Sequence, residues 1–110
     1  MPKVPKKFCI DEFEYKEYVK DGWNGPEYKE PVTIRNCRID RGAEYTTRSN
    51  GKQLLYNAVV FCYEGITTPL LDFKTESIII FDDIEHKVTK VIPIYEAYER
   101  KIYSYELEVI

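Results

Sequence analysis

The sequence has little of what active sites are built from. It carries one histidine, His86, in 110 residues. Its three cysteines, Cys9, Cys37 and Cys62, are widely spaced and set among apolar or β-branched neighbours, with no paired motif. An odd number of thiols excludes a fully paired disulfide framework, and the expectation is reduced, mostly buried strand residues in a cytosolic product. His86 stands in Asp82-Asp83-Ile84-Glu85-His86-Lys87, at a turn leading into a strand. A strand sends neighbours to opposite faces, so at most two of these side chains converge, too few to hold a metal without ligands from elsewhere. A Gly-rich phosphate loop is missing, and Asn24, Asn36, Asn50 and Asn57 all lack the downstream Ser or Thr of a glycosylation acceptor. No cofactor is expected, and an enzyme is the weakest class. A small hydrolase would require His86 beside a Cys, a Ser or a metal.

Long apolar runs and a basic surplus are missing too. No stretch approaches the roughly 20 apolar residues of a membrane span. The opening Met1-Pro2-Lys3-Val4-Pro5-Lys6-Lys7 is basic but has no apolar core region of a secretory leader after it, so no membrane partner is expected. The net charge of −3 argues against a surface that is one continuous nucleic-acid footprint, while leaving room for a local basic loop.

What the sequence does have is tyrosine, ten residues of it, within an apolar fraction of 44% that is ordinary for a globular protein. The length corresponds to a single domain, residues 1–110, able to bury roughly two thirds of the surface of its unfolded chain. The last third, residues 77–110, reads as three consecutive strands. Ser77-Ile78-Ile79-Ile80-Phe81 is a short apolar run stopped by Asp82-Asp83, and the β-branched segment 87–94 follows. In 101–110 the alternation places Tyr103, Tyr105, Leu107 and Val109 on one face and Ser104, Glu106 and Glu108 on the other. Residues 96–100 between the last two strands form a loop of hairpin size.

Upstream, residues 1–7 are expected to be an extended arm that is either frayed or docked on a neighbour. Residues 8–20 favour a strand or short hairpin over a helix because aromatic and β-branched residues recur at short spacing. Asp21-Gly22-Trp23-Asn24-Gly25-Pro26 is a turn holding the only Trp of the chain, which either folds onto the core or anchors a partner. In Val32-Thr33-Ile34-Arg35-Asn36-Cys37-Arg38-Ile39-Asp40 the apolar phase slips by one at Arg35-Asn36, the signature of a β-bulge. Residues 40–53 read as one long polar loop, and 54–63 as a central strand, apolar on both faces from Ala58 to Tyr63. Leu70-Leu71-Asp72-Phe73-Lys74 suits either a single helical turn or an extended lid. The fold expected is all-β, a small antiparallel barrel or compact sandwich of about six to seven strands with one long polar loop. Some of Tyr95, Tyr98, Tyr103 and Tyr105 should be exposed, because not every face of the last two strands can be core.

In order and spacing the chain resembles the minor capsid proteins of temperate siphophages and prophages of Gram-positive bacteria. The pieces that carry this are Pro5-Lys6-Lys7, Trp23-Asn24-Gly25 before Tyr28, Pro31 through Ile39, Asn57-Ala58-Val59-Val60-Phe61, Ile78 to Phe81, Val91-Ile92-Pro93-Ile94-Tyr95 and Tyr105-Glu106-Leu107. In the turn where the family pattern would place a Gly and then an aromatic, this sequence has Asp82-Asp83 and His86. The resemblance implies a head-completion or stopper component, a small β-barrel forming a ring beneath the portal in the virion neck and assembled in the host cytoplasm. It implies portal or adaptor and tail-completion proteins as partners, and a loop at 40–53 that reaches the channel and helps retain packaged double-stranded DNA. Arg41, Arg48 and Lys52 are the candidate DNA-facing residues, and Trp23, Tyr98, Tyr103 and Tyr105 the candidate partner contacts. The alternatives are a tail-completion protein of the same neck and a free OB-like nucleic-acid-binding barrel, which needs exposed aromatics beside a basic groove.

Overall fold

A computed structural model of the chain describes residues 5–48 and 51–110, with the backbone alone for 44–48 and 53–55. Its strands are β1 (Asp11–Lys16), β2 (Tyr18–Gly22), β3 (Gly25–Tyr28), β4 (Val32–Asp40), β5 (Glu44–Arg48), β6 (Gly51–Tyr56), β7 (Ala58–Tyr63), β8 (Ile78–Phe81), β9 (Ile84–Tyr95) and β10 (Ile102–Val109). Six of them close a barrel in the order β1-β4-β7-β10-β9-β8, with β8 returning to β1, and every pairing is antiparallel. The fold is therefore a barrel and not a sandwich. Closure removes the open edges that a three-stranded carboxyl-terminal meander would otherwise leave.

Period-two alternation fills the interior. Phe13 and Tyr15 from β1, Ala58, Val60 and Cys62 from β7, and Tyr105, Leu107 and Val109 from β10 are all buried. On β4 the buried phase passes from Ile34 to Cys37 and Ile39. Asn36 is the extra residue, because Asp11 pairs with Cys37 while Glu12 pairs with Arg35, and its φ of 60° is the left-handed value a bulged Asn tolerates. The bulge expected at Arg35-Asn36 is thus present.

Two features differ from the sequence reading, and one choice it left open is decided. The stretch 40–53 is not a featureless loop but largely the β5–β6 hairpin, a two-stranded sheet that pairs with no barrel strand. Residues 70–74 form no helical turn. They are an extended lid whose Phe73 ring meets Tyr15 edge-on at 5.1 Å and Tyr105 at 5.6 Å. A single 3-10 turn, Lys6–Phe8, lies instead at the base of the amino-terminal arm, and residues 1–4 of that arm fall outside the described residues.

Polar contacts sew the 64–77 crossing to the barrel. Thr67 Oγ1 accepts from the Tyr63 amide at 2.8 Å and donates to the Asn36 carbonyl at 2.9 Å. The buried Tyr15 hydroxyl accepts from the Lys74 amide at 2.9 Å and shares a 3.2 Å hydrogen bond with Ser77 Oγ.

Topology fixes the direction of everything outside the barrel. The β2–β3 hairpin joins the end of β1 to the start of β4, and the β5–β6 hairpin joins the end of β4 to the start of β7. The two hairpins therefore leave from opposite ends of β4. Following the antiparallel order, the 64–77 crossing and the 96–101 loop share the β2–β3 end. The turn at Asp82-Asp83 and the carboxyl terminus share the β5–β6 end. The Cα radius of gyration is 14.9 Å, above the roughly 13 Å of a compact chain this long, as expected of hairpins standing off a barrel.

Candidate functional site

At the β5–β6 end, the backbone of the hairpin starts with Glu44 opposite Tyr56 and closes with Arg48 opposite Gly51. Gly51 takes φ 118°, a conformation that favours Gly. Lys52 is exposed, and the side chain of Arg48 lies outside the described residues.

Arg41, the third of the basic residues singled out in the sequence, is committed to its own fold. Its Nε donates to Asp82 Oδ2 at 2.7 Å, and its Nη2 donates to Asp82 Oδ1 at 3.3 Å and to Asp11 Oδ1 at 3.2 Å. The guanidinium lies 5.6 Å from the centroid of the Phe81 ring, and His86 stacks against Phe81 at 4.2 Å with the planes 1° apart. The hydrogen bond to Asp82 raises the Arg41 pKa further, and the same bond holds the Asp82 carboxyl below its usual range. Arg41 anchors the base of the hairpin through these bonds, with its side chain still 45% exposed. Asp11 adds a second tie, its Oδ2 accepting from the Ile39 amide at 2.9 Å.

His86 lies on β9, in the β8–β9 hairpin, with Nδ1 3.1 Å from the Ile84 carbonyl oxygen. The three thiols are buried in the barrel and beside it. Burial raises the pKa of each, that of Cys37 to about 12. A protonated buried thiol is a poor nucleophile.

The opposite end carries most of the candidate partner residues. Trp23, at the tip of the β2–β3 hairpin, is 98% exposed, and Tyr98, in the 96–101 loop, is 99% exposed. Such aromatics standing in water are the kind that anchor interfaces. Tyr103 and Tyr105 behave differently. A register shift between Ile102 and Ser104 takes Tyr103 out of phase with Tyr105, so the two do not share a face as the alternation suggested. Tyr103 is half-buried, edge-on to Tyr63 at 6.1 Å. Tyr105 is only 9% exposed and donates to Asp72 Oδ1 at 3.0 Å, so it supports the lid and shows only a small surface, in the lining of the cleft beside the lid.

Between the 64–77 crossing and the 96–101 loop lies a cleft of about 610 Å³. Ile66, Leu70, Leu71 and Ile102 supply apolar walls, and Glu64, Asp72, Glu96 and Glu99 supply carboxylates against one cation among the described residues, Lys101, itself 3.6 Å from Glu99. The sequence reading missed this cleft. Its carboxylates come from two segments more than 20 residues apart, and only the barrel order brings them together.

These features define a class: a small closed β-barrel whose exposed chemistry is concentrated at two unlike ends. The chain belongs to the minor capsid protein family, whose family model matches residues 5–109. Capsid proteins are structural components of virus particles, and the protein is one of these. Comparison with curated proteins finds no match, and comparison with solved structures finds none either.

Proposed function

We propose that the protein is a head-completion or stopper component of a bacteriophage head-tail connector. Copies form a ring below the portal, and the β5–β6 hairpin of each helps to retain packaged DNA. The observation that carries this reading is the hairpin itself, a separate two-stranded sheet at the barrel end opposite the acidic cleft. With Arg41 engaged by Asp82 and Asp11, phosphate attraction falls to Arg48 and Lys52. A pair of cations per copy becomes a collective field only when the hairpin is repeated around a channel. The Trp23 and Tyr98 end is then the end that meets portal, adaptor or tail-completion partners. An OB-like nucleic-acid binder fits less well, because six strands close this barrel where an OB-fold has five and the cleft beside its tyrosines is acidic.

The test is a phage whose copy of this chain lacks residues 42–51. The isolated variant is expected to keep the circular dichroism and melting cooperativity of the barrel, while heads fill and then lose DNA. Arg48→Glu with Lys52→Glu should give the same leak in weaker form. Full retention of DNA by both variants, or an intact chain with no affinity for portal or neck proteins at any concentration, overturns the reading.

A further inference from the structure

The acidic cleft and the amino-terminal arm are complementary in charge, and Tyr63 stands between them. The arm carries Lys3, Lys6 and Lys7 and no acidic residue in positions 1–8, in a chain whose net charge is −3. At its base, Pro5, Lys6, Lys7 and Phe8 are all exposed, with Phe8 at 57%. Cys9 then anchors the chain against Tyr63 and Ile66. Tyr63 and Ile66 also line the cleft, yet none of residues 5–8 does. Residues 5–8 of the copy's own arm thus lie beside the cleft without lining it. Glu64 and Asp72 make no ion pair with a cation among the described residues, and Leu70, Leu71 and Ile102 on the apolar walls are only half-buried. The cleft volume of about 610 Å³ falls within the roughly 300–1,000 Å³ of sites that enclose a ligand-sized group. That is room for an aromatic ring and the stem of a lysine.

We infer that this cleft receives the basic arm of a second copy of the chain, with Phe8 against the apolar walls and the lysines among Glu64, Asp72 and Glu99. Donor and acceptor surfaces differ, so the contact is head-to-tail. Each copy gives one arm and receives one, the arrangement that closes into a ring when the rotation allows. Side chains and an arm must supply the association, because every barrel strand already has both neighbours. The proposal deepens the ring reading and rests on it. It also accounts for a basic segment on an acidic chain without assigning that segment to DNA.

The experiment uses the full chain in two preparations. One carries a nitroxide on Pro2→Cys, which leaves the lysines in place and labels selectively because the native thiols are buried. The other is methyl-labelled and has no nitroxide. Mixed at high concentration, the two should show broadening of the Leu70, Leu71 and Ile102 methyl signals, with the Ile84 methyl beside the Asp82-Asp83 turn at the opposite barrel end unaffected. Glu64→Lys with Glu99→Lys in the receiving copy should abolish the effect. Lys3→Glu, Lys6→Glu and Lys7→Glu in the nitroxide-bearing copy should then restore it. In a third sample both labels sit on one molecule, and broadening there but not in the mixture would mean that the arm fills its own cleft. That result overturns the inference, as does no broadening or broadening centred elsewhere. A ring seen on heads without arm-to-cleft broadening would sink this inference and spare the connector reading. Broadening in a protein that never binds portal or neck proteins would do the reverse.

Discussion

Arg41 and Asp82, 41 residues apart in sequence, form a two-bonded pair, with Nε to Oδ2 at 2.7 Å and Nη2 to Oδ1 at 3.3 Å. The pair ties the residue that leads from β4 into the β5–β6 hairpin to the turn between β8 and β9. Planar two-point geometry of this kind is specific to Arg, and a Lys in its place would keep the charge and lose the fork. Asp82 and Asp83 take φ of 54° and 59°, as the central residues of a type I′ turn do. Gly would suit that backbone better, but only a carboxylate at position 82 holds Arg41.

The two turn residues should therefore respond differently to the same substitution. Asp83→Gly relieves a left-handed conformation at a side chain with no hydrogen bond or ion pair among the described residues, and is expected to stabilise by about 0.5–1 kcal/mol. Asp82→Gly gives the same backbone relief but strips Arg41 of its main acceptor, so its melting temperature should fall below that of Asp83→Gly. Equal gains from the two variants would show that the pair contributes nothing.

Tyr15→Phe tests the lid. The Tyr15 ring is 1% exposed, and its hydroxyl accepts the Lys74 amide. Removal of the oxygen, at little cost in packing, leaves the Lys74 amide without its acceptor, while Ser77 Oγ keeps the Tyr18 amide at 3.0 Å. A loss of about 1–2 kcal/mol in denaturant unfolding is expected, with an unchanged m-value.

Acid should expose a second tie. Glu17 accepts from Lys29 Nζ at 2.8 Å and sits 3.6 Å from Lys74 Nζ. The hydrogen bond to Lys29 is the main reason its pKa lies below the ordinary 4.5, and Asp82 is lowered in the same way by Arg41. The folded chain binds these protons less readily than the unfolded chain. The stability involved is therefore present above about pH 4.5 and is lost as pH falls through the depressed folded values. Lys29→Met should flatten this acid limb in melts taken from pH 6 down to about pH 3, while a limb identical to wild type would rule the tie out.

The thiols give a kinetic check. With Cys9, Cys37 and Cys62 at 2% exposure or less, and desolvation raising each pKa, a disulfide reagent should react no faster than the chain opens. All three thiols should become reactive together in denaturant. A rapid stoichiometric reaction of any one of them in the folded protein would contradict the burial described.

The barrel was legible in the sequence wherever a strand has one wet and one dry face. Leu107 and Val109 against Glu106 and Glu108 is such a pattern, and the slip from Ile34 to Cys37 betrayed even the bulge at Asn36. The β5–β6 hairpin was not legible, because a two-stranded sheet outside the barrel has no barrel face to impose a period of two on its residues. Residues 70–74 were ambiguous for a related reason. Leu70, Leu71 and Phe73 satisfy a helical turn and an extended lid equally well, and the choice is made by Tyr15 and Tyr105, which lie far away in sequence. Arg41 looked like a free cation because its partner Asp82 is tertiary. Tyr105 looked available to a neighbour because alternation tells which residues share a face and not which layer covers it.

The seam where β1 meets β8 is three residue pairs long, Glu14 with Ile80, Tyr15 with Ile79 and Lys16 with Ile78. During synthesis β1 and β4 can pair as soon as Asp40 has left the ribosome, but the other edge of β1 waits for Phe81. At ordinary translation speed that is a delay of roughly 2–8 s. Throughout it an unfinished sheet displays unpaired backbone and the side of Tyr15 that will later be covered. Crowding and chaperone supply should therefore matter most to nascent chains, and much less to finished subunits waiting to be incorporated.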